Sequence, residues 1–188
     1  MTPRVDTIVK VGGALLGTPG ALDAVVRALE SAVARGASIA VVPGGGPFAH
    51  AVRDVDASLA IGEDTAHWMA ILAMDQHALL IASRAPHARV VEHPAEVTGA
   101  LMHGRLPVLA PYRWLRARDP LPHSWDVTSD SIAAWVAGEL EARRLVLVKP
   151  VVAEQSALVD AYFERALPNG MGVVIADATG LTEALRAT

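Results

Sequence analysis

Apolar and polar positions along this chain follow two alternating rhythms. Short, nearly continuous apolar runs, rich in β-branched residues, recur at 5–11, 38–42, 89–92, 106–110, 145–149 and 172–176. Runs of that length without polar alternation read as strands covered on both faces. Between them, apolar residues recur at three-to-four-residue spacing. That spacing predicts helices over 21–35, 47–56, 66–84, 95–103, 128–143, 157–167 and 181–186. Strand and helix alternate almost throughout, which requires crossover connections, a mainly parallel central sheet and helices on both faces. The expected architecture is an α/β fold, a three-layer αβα sandwich. One stretch, 111–124, combines Pro, Arg and Trp and reads as a loop over the functional face.

Composition narrows the function classes. The chain has 188 residues, 52% hydrophobic but only 4% aromatic, so its apolar mass is mostly Ala, Val and Leu. That length is expected to form a single domain, 1–188. A formal net charge of -4 with 19% charged residues excludes a disordered chain and argues against nucleic-acid binding. Cysteine is absent, which removes disulfides, zinc–thiolate sites and thiol chemistry. The longest apolar candidate for a membrane span, 66–83, is interrupted by His67, Asp75, Gln76 and His77. Residues 1–13 lack the apolar core of a signal peptide. The expectation is a cytoplasmic protein with no membrane partner.

Lysine placement is the first chemical clue. Of 16 basic residues only Lys10 and Lys149 are lysines, and both lie near the ends of apolar runs. Ligands of open α/β sheets bind at the carboxyl ends of the strands. Three such ends are unusual here. Lys10 is followed by Gly12 and Gly13 and then a helix, which offers a cation, backbone N–H groups and a helix start to a phosphate. The second end is Pro43, Gly44, Gly45, Gly46 and Pro47, where three glycines permit close approach of backbone to a ligand. Both segments could equally be plain turns. The third is the run Trp125, Asp126, Val127, Thr128, Ser129, Asp130. One of its side chains could cap the next helix, and Asp130 could instead stand between the two lysines. Neither glycine segment matches a Walker A loop or a Rossmann fingerprint.

Taken together, VKVGGALL, VVPGGGPFAHAVR and TSDSIAAWVA resemble the amino acid kinase superfamily. The resemblance implies transfer of the γ-phosphoryl group of ATP to an anionic acceptor, with Mg²⁺ carried by ATP rather than by protein ligands. It implies Lys10 and Asp130 as catalytic residues, with Lys10, Gly12, Gly13 and Gly45 around phosphate and nucleotide; Lys149 stands where many relatives carry Ser/Thr-Asp, and it is expected to join both sets by replacing a cation that relatives supply elsewhere. It further implies Gly44, Gly45, Gly46 and Asp126 as substrate contacts, to which His67, at the start of its helix, and Ser129, in the run before Asp130, are added by position. The segments DTAHWMAILAMDQHALLIA, LPVLAPYRWLRARDPLPHSWDVTSDSIAAWVA and LVDAYFERALP are similar to a short branch of that superfamily. The best understood member of that branch phosphorylates aminomethylfuran-methyl phosphate to the diphosphate in methanofuran biosynthesis. Against larger superfamily members the chain is short. Residues 1–144 would form the acceptor and phosphate half, and 145–188 a reduced nucleotide half. Superfamily members are commonly dimers or larger, so a homo-oligomer is expected.

Other residues carry two readings. Trp68, Met69, Ile71, Leu72 and Leu79 have the spacing of a core or subunit interface. Arg113, Arg116 and Arg118 with Trp114 could form a lid over an anionic substrate or a solvated face. The competing functions are a nucleotide- or anion-binding protein without turnover, a kinase of a carboxylate or carbamate, and a subunit completed by a partner chain.

Overall fold

The structure, a computed structural model, describes residues 4–150 and 159–186. Its strands are β1 (Thr7–Val11), β2 (Ile39–Pro43), β3 (Ala88–Val91), β4 (Leu106–Leu109), β5 (Arg144–Val148) and β6 (Gly172–Ala176). The helices are α1 (Ala21–Ala34), α2 (Gly46–Leu59), α3 (Glu63–Arg84), α4 (Pro94–Met102), α5 (Tyr112–Arg118), α6 (Ser129–Glu139), α7 (Phe163–Ala166) and α8 (Leu181–Ala184), with a 3-10 turn at Gly13–Gly17. One six-stranded sheet has the order β3-β4-β2-β1-β5-β6, and every described pairing is parallel. This is the expected α/β sandwich.

Period-two alternation divides the apolar strand residues between the two faces. Ile8, Val42, Leu145 and Leu147 pack on one side with Ile71, Met74, Ile132 and Ala133. Val9, Val11, Val41, Val146 and Val148 pack on the other with Val25, Leu29, Ile81 and Leu181. Strand β1 is central, in register with β2 and β5 on either side. Lys10 therefore shares the face of Ile8, beneath α6, and it arrives there already walled by two neighbouring strands.

Two segments differ from expectation. The stretch expected as a loop contains α5, because tertiary contacts outweigh its short length and basic character. The Asp75 carboxylate accepts the Tyr112 amide at 3.1 Å, and Trp114 is buried against Trp135 at 4.9 Å between ring centres. The helix expected over 157–167 is limited in the described residues to α7, and positions 157 and 158 lie outside them. On α3, Ile71 is in the core while Leu72 and Leu79 are exposed. No described helix is long and apolar enough to cross a membrane.

Candidate active site

The carboxyl ends of β1 and β5 and the first turn of α6 bring three charged side chains together. Lys10, penultimate in β1, is 4% exposed, and its Nζ lies 2.8 Å from Asp130 Oδ1. Lys149, one residue past β5, donates to both oxygens of the same carboxylate, at 2.9 and 2.7 Å. Asp130 thus bridges two ammonium groups separated by 139 positions in sequence, leaving one formal positive charge in excess. Burial alone would raise the Asp130 carboxyl. Lys10 and then Lys149 outweigh it and hold the group below the usual carboxylate range. Burial pulls Lys10 down from its ordinary value, with Asp130 opposing that shift and Lys149 adding to it.

Asp130 is aimed by a residue that sequence reasoning missed. Thr128 holds the cap position of α6, yet its hydroxyl does not cap the helix. Asp160 does so from outside. Its carboxylate accepts the amides of Thr128 and Ser131 at 2.9 and 3.0 Å, and both of their hydroxyls. An anion at a helix start satisfies orphan amides and complements the helix dipole. Asp160 therefore fixes the first turn of α6 and, with it, Asp130. Only the run of Thr, Ser and Asp hinted that capping needed an acceptor.

The glycines pack against one another beside this cluster. A Cβ on Gly12 would fall 2.6 Å from the Val148 carbonyl and 3.9 Å from Lys10 Nζ, so the lysine head lies under that turn. A Cβ on Gly13 would overlap the backbone of Gly46, which itself has a φ of +57°. Not all of these amides can face a ligand. Gly12 donates to Val148 O and Gly44 to Val11 O, so these two shape the loops rather than supply donors. Among the described residues, the amides of Gly13, Gly45 and Gly46 donate to no protein acceptor.

Those three glycines line a cleft of about 220 Å³. Its walls come from α2, α3 and the segment before α6. Ala66, Ala70, Ile71, Met74, Val127 and Ile132 supply apolar surface, and Ser129 and His67 also line it. Asp126 does not line it; the chain turns that residue outward between Trp125 and Val127. His67 stacks on His123 at 4.1 Å between centres, and burial with the second ring pushes it down to about 4. Burial opposes protonation of His123 as well, but Asp64 and Asp119 at its two nitrogens raise it above its ordinary value.

Two cleft residues escaped the sequence reading. His50 and Arg53 lie three positions apart, on one face of α2, directly after the glycine run. Arg53 lies 4.0 Å over the Trp125 ring, whose Nε1–H donates to Asp56 at 2.9 Å. Basic residues at that spacing behind PGGGPF were the available signal. The alternative lid is not formed. Arg113 pairs with Glu92, Arg118 pairs with Glu139, Arg116 lies over Trp68, and none lines the cleft.

The model described as "Amino acid kinase family" matches residues 7–152. A curated relative, [5-(aminomethyl)furan-3-yl]methyl phosphate kinase of Methanocaldococcus jannaschii, is 29% identical over 145 residues. The match covers 77% of this chain and 65% of that protein, so the chain spans just under two thirds of the relative's length. Among solved structures, uridylate kinase from Archaeoglobus fulgidus has a TM-score of 0.73 at 16% identity, covering 97% of this chain and 96% of that one. UMP kinase from Ureaplasma parvum has a TM-score of 0.70 at 14% identity, covering 98% and 96%. At such identities the two structures speak for the fold alone.

Proposed function

The chain belongs to the amino acid kinase family, and we propose that within it this protein transfers the γ-phosphoryl group of Mg-ATP to the phosphate of a small amine-bearing furan, giving the diphosphate. The observation that carries this reading is the bridged Lys10–Asp130–Lys149 cluster next in sequence to a cleft lined by Ser129 and by three glycines with unpaired amides.

An acceptor phosphate oxygen attacks the γ-phosphorus and forms the new P–O bond. The bond from that phosphorus to the β-bridging oxygen breaks, and its electron pair leaves with ADP. The attacking oxygen is already an anion, so no proton must be removed and no general base is required. Charge then spreads over the oxygens in transit, where fixed cations and N–H donors stabilise it most. Lys10 and Lys149 supply the cations, and Asp130 holds them in place. Gly13, Gly45 and Gly46 supply the amides, and magnesium arrives with ATP as part of the substrate.

The cleft suits a phosphate joined to a compact ring. Glycine amides, apolar side chains and Trp125 line it, and the exposed carboxylate of Glu63 offers an ammonium a partner. The curated relative acts, by its name, on an acceptor of that description. The reading includes self-association, for which the exposed Leu72 and Leu79 of α3 supply apolar surface.

The test is ADP release with Mg-ATP and [5-(aminomethyl)furan-3-yl]methyl phosphate, run beside UMP, acetylglutamate, aspartate and carbamate, with mass spectrometry of the product. A furan diphosphate is the expected result. Turnover with another acceptor alone would keep the kinase and discard the furan. Silence with all acceptors, with ATP still bound, would replace catalysis by binding.

A further inference from the structure

His77 is the most isolated polar side chain in the described core. It is 0% exposed on α3, and its Nδ1 lies 2.6 Å from the Gly44 carbonyl oxygen. Its Nε2 is buried without a partner. A carbonyl oxygen only accepts, so the ring proton resides on Nδ1. Burial, with Lys10 nearby, depresses the ring's pKa and keeps it neutral, although the bond to Gly44 works the other way. The unpaired Nε2 carries an uncompensated cost of desolvation. A leucine would fill the same space with no orphaned atom. What the imidazole adds is the bond to Gly44.

That bond controls more than Gly44. The Gly44 amide is already tied to Val11 O at 2.8 Å. A Cβ at Gly44 would come within 2.8 Å of the Gly13 nitrogen and 3.1 Å of Ser129 Oγ, so the residue is boxed in on that side too. Its carbonyl shares a peptide plane with the Gly45 N–H. The described chain has no cis peptide, and across a trans peptide C=O and N–H point in opposite directions. Holding the oxygen against His77 therefore aims the Gly45 N–H away from the ring. Gly45 lines the cleft, and its amide has no protein acceptor.

We propose that His77 is a positioning residue for phosphoryl transfer: by gripping the Gly44 carbonyl it fixes the Gly45 N–H as a donor to the phosphoryl group in transit. The proposal rests on the kinase reading above. The ring never touches substrate. It acts by preventing the Gly44–Gly45 peptide from rotating, a motion that the freedom of two adjacent glycines would otherwise allow.

The test compares His77→Asn with His77→Leu and His77→Gln. Asparagine places an N–H where the ring Nδ1–H stands, whereas leucine has no donor and glutamine displaces it toward the Nε2 position. In the ADP-release assay, with Tm as the check on folding, His77→Leu and His77→Gln are expected to lose about 10- to 100-fold in kcat, since a misaimed donor costs less than the ~10²–10³-fold of removing one outright. KM for Mg-ATP and for the furan phosphate should move less than about threefold. His77→Asn should recover most of kcat. Unchanged kcat in the leucine or glutamine variant, or an asparagine variant no better than they are, overturns the proposal. Should wild type prove inactive, the kinase reading fails and the positioning role is judged by NMR, titrating inorganic pyrophosphate. A Gly45 amide signal that responds in wild type and His77→Asn, but not without the donor, supports the role. Equal behaviour in all variants refutes it.

Discussion

Lys10, Asp130 and Lys149 are shut away from solvent and satisfy one another, whereas the cleft beside them is open and lined by groups without partners. The cluster stores charge. Its lysine heads are held by one carboxylate, with side-chain exposures of 5%, 6% and 14% for Lys10, Asp130 and Lys149. The cleft stores shape and donors, in the amides of Gly13, Gly45 and Gly46 and in the Arg53–Trp125 pair. The division separates tasks. Charge held out of water costs little reorganisation when negative charge shifts during transfer. Selection of an acceptor needs a surface that it can enter and desolvate. Damage to the cluster or to the glycine amides beside it should therefore appear in kcat, and damage to the cleft walls in KM.

The largest effect should come from Lys10→Met. It removes one cation and leaves Asp130 paired with Lys149, so the fold survives while transition-state charge loses support. We expect kcat to fall about 10³-fold, the upper range for loss of an oxyanion-stabilising group. Acceptor KM should stay within about threefold. Steady-state kinetics with both substrates varied decides this, and a rise in acceptor KM with kcat intact would erase the division of labour.

Arg53→Ala probes the other side. Arg53 lies on the Trp125 face at the cleft wall and touches neither lysine nor Asp130. Loss of that cation should raise acceptor KM about tenfold, the scale of one charge-assisted hydrogen bond, and leave kcat within about threefold. A large drop in kcat at unchanged KM would place Arg53 with the transferring group instead.

The two regions also differ in how far the sequence disclosed them. Buried parallel strands are visible as continuous apolar runs, so the sheet was readable. The cluster was readable for a related reason: Lys10 and Lys149 are charges at positions where the pattern calls for apolar residues, and Asp130 stands in a capping run longer than one cap needs. The cleft was only half readable. Its glycines announce themselves, but Arg53, His50 and Trp125 meet only when α2 folds against the segment before α6. His77 reads as one more residue in an apolar helix, because the carbonyl it serves lies 33 positions away. Asp160 caps a helix from 29 positions beyond Ser131, a distance at which no local capping pattern operates. Helix α5 was hidden by its proline and arginines, and it exists through Asp75 and Trp135.

The smallest expected effect lies where the cleft rim meets pH. Burial and then His123 hold His67 neutral, down to about 4 against an ordinary 6.5. Between those values the unfolded chain binds a proton that the folded chain does not, so stability falls as pH falls through that window. Asp75 works in the opposite sense. Burial raises it to about 6, so the folded chain holds the extra proton, and stability from that group grows as pH falls from 6 toward 3.8. His123, raised above its ordinary value, contributes fully below 6.5 and loses its contribution only at higher pH. A bare acid profile thus mixes opposing terms, and the informative quantity is the difference between wild type and His67→Phe. Between pH 6.5 and about pH 4.5, wild type should lose about 3–6 °C more in Tm than the variant, the scale of a lost proton-linkage term in a chain this size. Parallel acid profiles would mean that His67 accepts a proton freely in the folded cleft, and the apolar wall beside the glycines would then have to be wetter than its lining implies.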